Sequence, residues 1–146
     1  MRFLLDTMVI SEPARPRPDP KVLAWLSGQA SPDLAISVLS LGEVANGVER
    51  MADGHRKREL GRWLENELPG LFRDRVVWID QEVAIEWGRL AARRAGLPVI
   101  DGLLVATAAA HRLTLVTRNV RDTAGLGVAV IDPWTDRQFD ADQSPG

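Results

Sequence analysis

The sequence predicts an α/β protein with a central parallel sheet flanked by helices on both faces. Three observations carry that reading. Short apolar or β-branched runs recur at Phe3–Leu5, Leu34–Ile36, Arg75–Ile79, Leu113–Thr117 and Val128–Ile131, the length of buried strands and too short for helices. Longer stretches with apolar residues at helical spacing separate them, the arrangement that links parallel strands. At 146 residues, 45% hydrophobic and 26% charged, the chain can bury a single core without disulfide or metal staples.

The elements follow in order. Phe3-Leu4-Leu5 stops at Asp6, as a buried strand does. Pro13, Pro16, Pro18 and Pro20 keep the next segment out of a helix, and Pro20 is placed to begin one that runs to about Gly28. After the Leu34–Ile36 strand, Leu41, Val44, Ala45 and Val48 repeat at i, i+3, i+4, i+7, an amphipathic helix. A charged helix from His55 to Leu68 is expected to end near Pro69. Asp80 caps a helix whose Val83, Ala84, Trp87, Leu90 and Ala91 form one face, terminated by Gly96-Leu97-Pro98. Asp101–Arg112 is apolar nearly all round, so it belongs at the centre. Residues 1–134 form the domain, and 135–146 read as a polar, disordered tail.

Composition removes several chemistries. There is no cysteine, hence no zinc-thiolate site, iron–sulfur cluster or thiol nucleophile. No apolar run approaches the ~18 residues of a membrane span, and Met1–Asp6 is no signal peptide, so a cytoplasmic protein is expected. The net charge of −2 is no signature of nucleic-acid binding, and all of it lies in Thr135–Gly146.

Function in such a sheet sits beyond the carboxyl ends of the strands. Asp6 directly follows the first strand, Asp101 opens the central helix, and Asp122 lies five residues beyond Thr117. Taken singly, these are a turn residue, a helix cap and a loop residue, and Glu43 is a surface position on its helix. Together they put acids from distant parts of the chain at one edge of the sheet. Such carboxylates raise one another's pKa unless a cation neutralises them. Oxygen ligands without His or Cys suit Mg²⁺ or Mn²⁺, and these ions act on phosphates. Gly42 and Gly47 each weaken the helix that carries Glu43 by about 1 kcal/mol, a sign that something approaches that face.

The ordered motifs carry a resemblance. Leu4-Leu5-Asp6-Thr7 with Val9-Ile10-Ser11-Glu12, Ser40-Leu41-Gly42-Glu43, Pro98-Val99-Ile100-Asp101, Leu113 through Asp122, Gly125-Leu126-Gly127 and Asp132-Pro133-Trp134 resemble the PIN-domain ribonucleases. The match is to the VapC-type toxins of type II toxin–antitoxin pairs, in their FitB-like branch. The resemblance covers about residues 1–134. It implies a PIN fold and an acidic quartet of Asp6, Glu43, Asp101 and Asp122. Asp6, Asp101 and Asp122 would hold one or two Mg²⁺ or Mn²⁺ ions, and Glu43 would order the water that attacks phosphorus. Thr117, Asn119 and Met8 would stand behind these carboxylates, with Arg118 and Arg121 as RNA phosphate contacts. It further implies an RNA substrate, an antitoxin encoded in the same operon, and a homodimer.

Rival readings fail on single residues. A haloacid-dehalogenase-type site wants an acid where Met8 stands, and a receiver domain wants a late lysine, whereas the lysines are Lys21 and Lys57. His55 and His111 form no hydrolytic triad, and Gly125-x-Gly127 lacks the third glycine of a dinucleotide loop. The run His55-Arg56-Lys57-Arg58 reads as a solvated helix face. One alternative stays open. The family commonly has Asn where this chain has Met8, and a thioether donates no hydrogen bond. Met8 is therefore expected to weaken the site, and in the extreme would leave a PIN domain that binds an antitoxin without cutting.

Overall fold

A computed structural model describes residues 1–146. Six strands make one sheet: β1 (Phe3–Leu5), β2 (Leu34–Ser37), β3 (Val76–Val77), β4 (Thr114–Val116), β5 (Val130–Asp132) and β6 (Arg137–Phe139), in the order β3-β2-β1-β4-β5-β6. The first five run parallel, and β6 returns antiparallel to β5. β1 is central, with Leu5 paired to Ile36 on one side and Val116 on the other.

Alternation along β1 divides the interior in two. Leu4 faces a core with Ala35, Leu104, Val105, Leu115 and Val130. Phe3 and Leu5 face the opposite core with Val9, Ile36, Val44 and Val116. The second face is covered by α1 (Thr7–Ser11), α2 (Pro20–Ser27), α3 (Val38–Glu49) and α5 (Leu68–Phe72), and the first by α6 (Gln81–Arg93) and α7 (Val99–His111). Both faces are thus closed by helices, as the alternating pattern requires. Residues 104–108 of α7 are all buried, which accounts for its lack of a polar face.

Four expectations change. The charged helix does not stop at Pro69. α4 (His55–Arg62) passes into one wide turn, Trp63–Glu67, where the Leu68 amide donates to the Trp63 carbonyl, and α5 then continues with Pro69 in its first turn. The wide turn takes up the donor and the space that a proline removes from a continuing helix. The third strand is two residues, not five, because β3 is the sheet's edge and has only β2 to pair with. Asp122 lies not in a loop but in a single helical turn, α8 (Val120–Thr123). The segment 135–146 is not a disordered tail. A tight turn brings β6 back along β5 and buries Phe139 against Val130, while the Gly127 amide donates to the Ala141 carbonyl at 2.9 Å. Asp132 builds the turn by accepting from the Trp134 amide (2.9 Å) and the Thr135 hydroxyl (3.0 Å).

Candidate active site

Asp6 leaves β1 with its amide still in the ladder, donating to Val116, while its side chain caps α1 through the Thr7 amide at 2.6 Å. Its other carboxylate oxygen accepts from the Thr117 hydroxyl at 2.7 Å. Thr117 follows β4, the strand beside β1, so adjacent strand ends place the two residues together. The Thr117 hydroxyl also accepts from the Asn119 amide at 3.0 Å. The Asn119 side-chain amide in turn donates to Asp101 (2.9 Å) and Asp122 (3.1 Å). On the other side of Asp6, the Thr7 hydroxyl donates to Glu43 at 2.6 Å. Thr7, Thr117 and Asn119 therefore link Asp6, Glu43, Asp101 and Asp122 in one network.

Asp101 does not cap its helix. Pro98 occupies the cap position and Asp101 is the third helical residue, so capping does not explain an acid there, although the positive end of the helix dipole still favours one. Its carboxyl is raised above the ordinary range, first by burial and then by the charges of Asp6, Asp122 and Glu43, against a smaller opposing effect from Asn119. Burial also raises Asp6, offset in part by the bonds from Thr117 and Thr7. No three acids converge as a ready-made ligand set. The donor chemistry nevertheless fits an oxygen-seeking divalent cation: Asp101 feels three like charges, the neighbouring ligand candidates are carboxylates, and no His or Cys intervenes.

The remaining candidates divide. Met8 is 45% exposed on α1 and takes no part in the network; the side-chain amide at the site is that of Asn119. Arg118 and Arg121 are both exposed, and the Arg118 guanidinium lies 5.2 Å from the centroid of the buried Trp134 ring. Of the basic run on α4, Arg56 donates to the Ala14 carbonyl and Lys57 to the Glu49 carbonyl, so two of its members tie the helix to its surroundings. Thr7 and Arg94 were missed. Thr7 adjoins Asp6 in the sequence and could have been read as its partner, whereas Arg94 approaches Asp122 from the end of α6 and left no local signal. An apolar groove of about 300 Å³ begins at Thr7 and Glu43 and runs past Gly47, Val48, Leu60 and Trp63, with Arg15 and Arg56 among its lining residues.

Residues 3–123 match the PIN domain family. The chain belongs to the PIN-domain family. This PIN domain is 36% identical over 138 residues to toxin FitB of Neisseria gonorrhoeae, covering 92% of this chain and 99% of that protein. It is 33% identical over 136 residues to VapC ribonuclease Y4jK of Sinorhizobium fredii, covering 90% and 97%. Among solved structures, the crystal structure of FitAcB from Neisseria gonorrhoeae superposes with a TM-score of 0.84 at 35% identity, covering 90% of this chain and 98% of that one. No helix of this PIN domain is long and apolar enough to cross a membrane.

Proposed function

We propose that this PIN domain is a divalent-metal-dependent endoribonuclease and the toxin of a toxin–antitoxin pair. The observation that carries the reading is the hydrogen-bonded set of four carboxylates at the sheet edge, with Asp101 pushed upward by its three acidic neighbours. The near full-length likeness to a protein named as a ribonuclease and to one named as a toxin supports the class of reaction and the biological role.

Asp6, Asp101 and Asp122 would hold one or two Mg²⁺ or Mn²⁺ ions. Bound there, such an ion would offset charge on the phosphate and lower the pKa of a nearby water. Glu43, fixed by the Thr7 hydroxyl, accepts the proton of the attacking water. Thr117 and Asn119 keep the carboxylates oriented, so little rearrangement is needed as the reaction proceeds. Water oxygen bonds to phosphorus, the bond to O3′ breaks, and the 3′ oxygen takes up a proton, leaving a 5′-phosphate and a 3′-hydroxyl. Arg118, stacked on Trp134, and Arg121 serve as phosphate contacts.

The partner follows from the groove. An apolar segment of an antitoxin from the same operon would fill the channel that starts at Glu43, and an arginine from it would match the acids at that end. The toxin itself pairs as a homodimer.

Purified protein is expected to cleave RNA with Mg²⁺ or Mn²⁺ and to stop on adding EDTA. Asp6→Asn and Asp101→Asn should each abolish cleavage with the circular dichroism spectrum unchanged. Cleavage that persists through both chelation and Asp101→Asn would refute the mechanism. Expression alone should slow growth, and co-expression of the neighbouring reading frame should restore it; light scattering at micromolar concentration checks the dimer.

A further inference from the structure

Asp122 is gripped from two directions. Asn119 donates to its Oδ2 at 3.1 Å, while Nη2 of Arg94 lies 3.8 Å from its Oδ1. The same guanidinium donates to the Arg121 carbonyl at 3.1 Å and the Asp122 carbonyl at 3.5 Å. Arg94 stands at the end of α6, with its own amide bonded to the Leu90 carbonyl at 3.1 Å. It thus ties the end of a thirteen-residue helix to a four-residue one.

We propose that Arg94 is a positioning residue for the metal site, fixing the α8 turn and through it the carboxylate of Asp122. The inference rests on the reading that Asp122 helps hold the divalent cation. A single helical turn does not sustain itself, because nucleation costs more than one hydrogen bond returns. The carbonyls at its C-terminal end also lack intrahelical partners. The planar guanidinium supplies what the turn lacks, since its fork reaches two successive carbonyls at once. A lysine ammonium is a point donor and does not reproduce that geometry. The contact to the Asp122 carboxylate is longer than a hydrogen bond, and both side chains are 35% exposed, so charge attraction is the lesser part. Arg94 therefore acts chiefly by holding the backbone. Without it, Asn119 would be the hydrogen-bond donor left to the Asp122 carboxylate, and Asn119 is already shared with Asp101.

The test is a calorimetric titration of the full-length, RNA-free protein with Mn²⁺ alone, followed by cleavage rates across Mn²⁺ concentration. Arg94→Ala and Arg94→Lys should each weaken Mn²⁺ binding by about 10- to 100-fold, as loss of a group supporting a metal ligand does. At saturating Mn²⁺ their cleavage rates should return to near the parent value with KM for RNA unchanged, because the ligands themselves remain. Arg93→Ala, altering the exposed neighbour, should bind Mn²⁺ as the parent does. Arg94→Lys keeps the test available if the alanine variant does not fold. Parent-like Mn²⁺ affinity in a folded Arg94 variant, or a cleavage deficit that saturating Mn²⁺ does not restore, overturns the proposal. Asp122→Asn separates the two levels. If it retains parent affinity, the assignment of Asp122 fails and the role of Arg94 with it; if it loses affinity while the Arg94 variants do not, only Arg94 is wrong.

Discussion

Thr117 has one hydroxyl and uses it twice, donating to Asp6 and accepting from the Asn119 backbone. Asn119 uses both hydrogens of its side-chain amide on Asp101 and Asp122. These two residues organise the acids more directly than anything at position 8. A methionine there is costly only where an amide at that position would steady Asp6. In the folded chain Met8 is partly exposed and makes no bond to the acids, and the bonds that steady Asp6 come from Thr7 and Thr117. The expected outcomes therefore diverge. Asn119→Ala should lower Mn²⁺ affinity and cleavage by about 10- to 100-fold, whereas Met8→Asn should change either by no more than a few-fold. Parallel Mn²⁺ titrations and initial rates check both, and a large gain from Met8→Asn would restore position 8 to the site.

At the scale of elements, the hairpin formed by β5 and β6 depends on Phe139. It is 4% exposed and packs in the core shared by α6, α7 and the sheet. Phe139→Ala should destabilise the fold by about 3 to 5 kcal/mol, the usual cost of emptying a buried aromatic site, read from urea denaturation. Truncation after Trp134 should cost at least as much, since it also removes the ladder to β5 and leaves that edge open. This element was illegible for a physical reason: β6 shows one apolar residue among charged and polar ones, and a three-residue edge strand needs no more than that. The central strands and α7 were legible as unbroken apolar runs buried on every side, and α3 and α6 because their apolar residues repeat at helical spacing over enough sequence to bury a face. Pro69 misled for the opposite reason, since a strong local stop was absorbed by a wide turn that no periodicity announces. The site divides the same way. Asp6, Asp101 and Asp122 could be placed because strand ends are visible, and the two threonines lie next in sequence to a strand end or to one of those acids. Arg94 could not, because its contact spans 28 residues and depends on how α6 ends.

For the whole molecule, gathering the acids sets catalysis against stability. Asp6 and Asp101 have carboxyls raised above their ordinary values, so the folded chain binds their protons more tightly than the unfolded chain does. The sign follows from linkage. Below the ordinary carboxylate range both groups are protonated in either state and impose no penalty. As pH climbs from there through the raised values, the folded state is forced to carry charges that burial and like-charged neighbours oppose. The metal-free protein should therefore lose stability over that interval, and the loss should be complete above it. Asp101→Asn removes one of those charges while its side-chain oxygen can still accept from Asn119, so in EDTA at neutral pH the variant should melt above the parent, at the expense of all cleavage. Divalent cation reverses the order. A ligand bound only by the folded state stabilises it by about 2.7 kcal/mol at a hundred times its Kd. Only the ionised carboxylates bind the cation, so this gain should grow with pH over the interval in which the metal-free protein weakens. Melting curves of parent and Asp101→Asn, each in EDTA and in excess Mn²⁺ across that pH range, give four traces. The parent should gain from Mn²⁺ and the variant should not. If the parent in EDTA is flat or rises with pH through the interval, or if Mn²⁺ raises both proteins equally, the acids do not carry the opposing charges assigned to them.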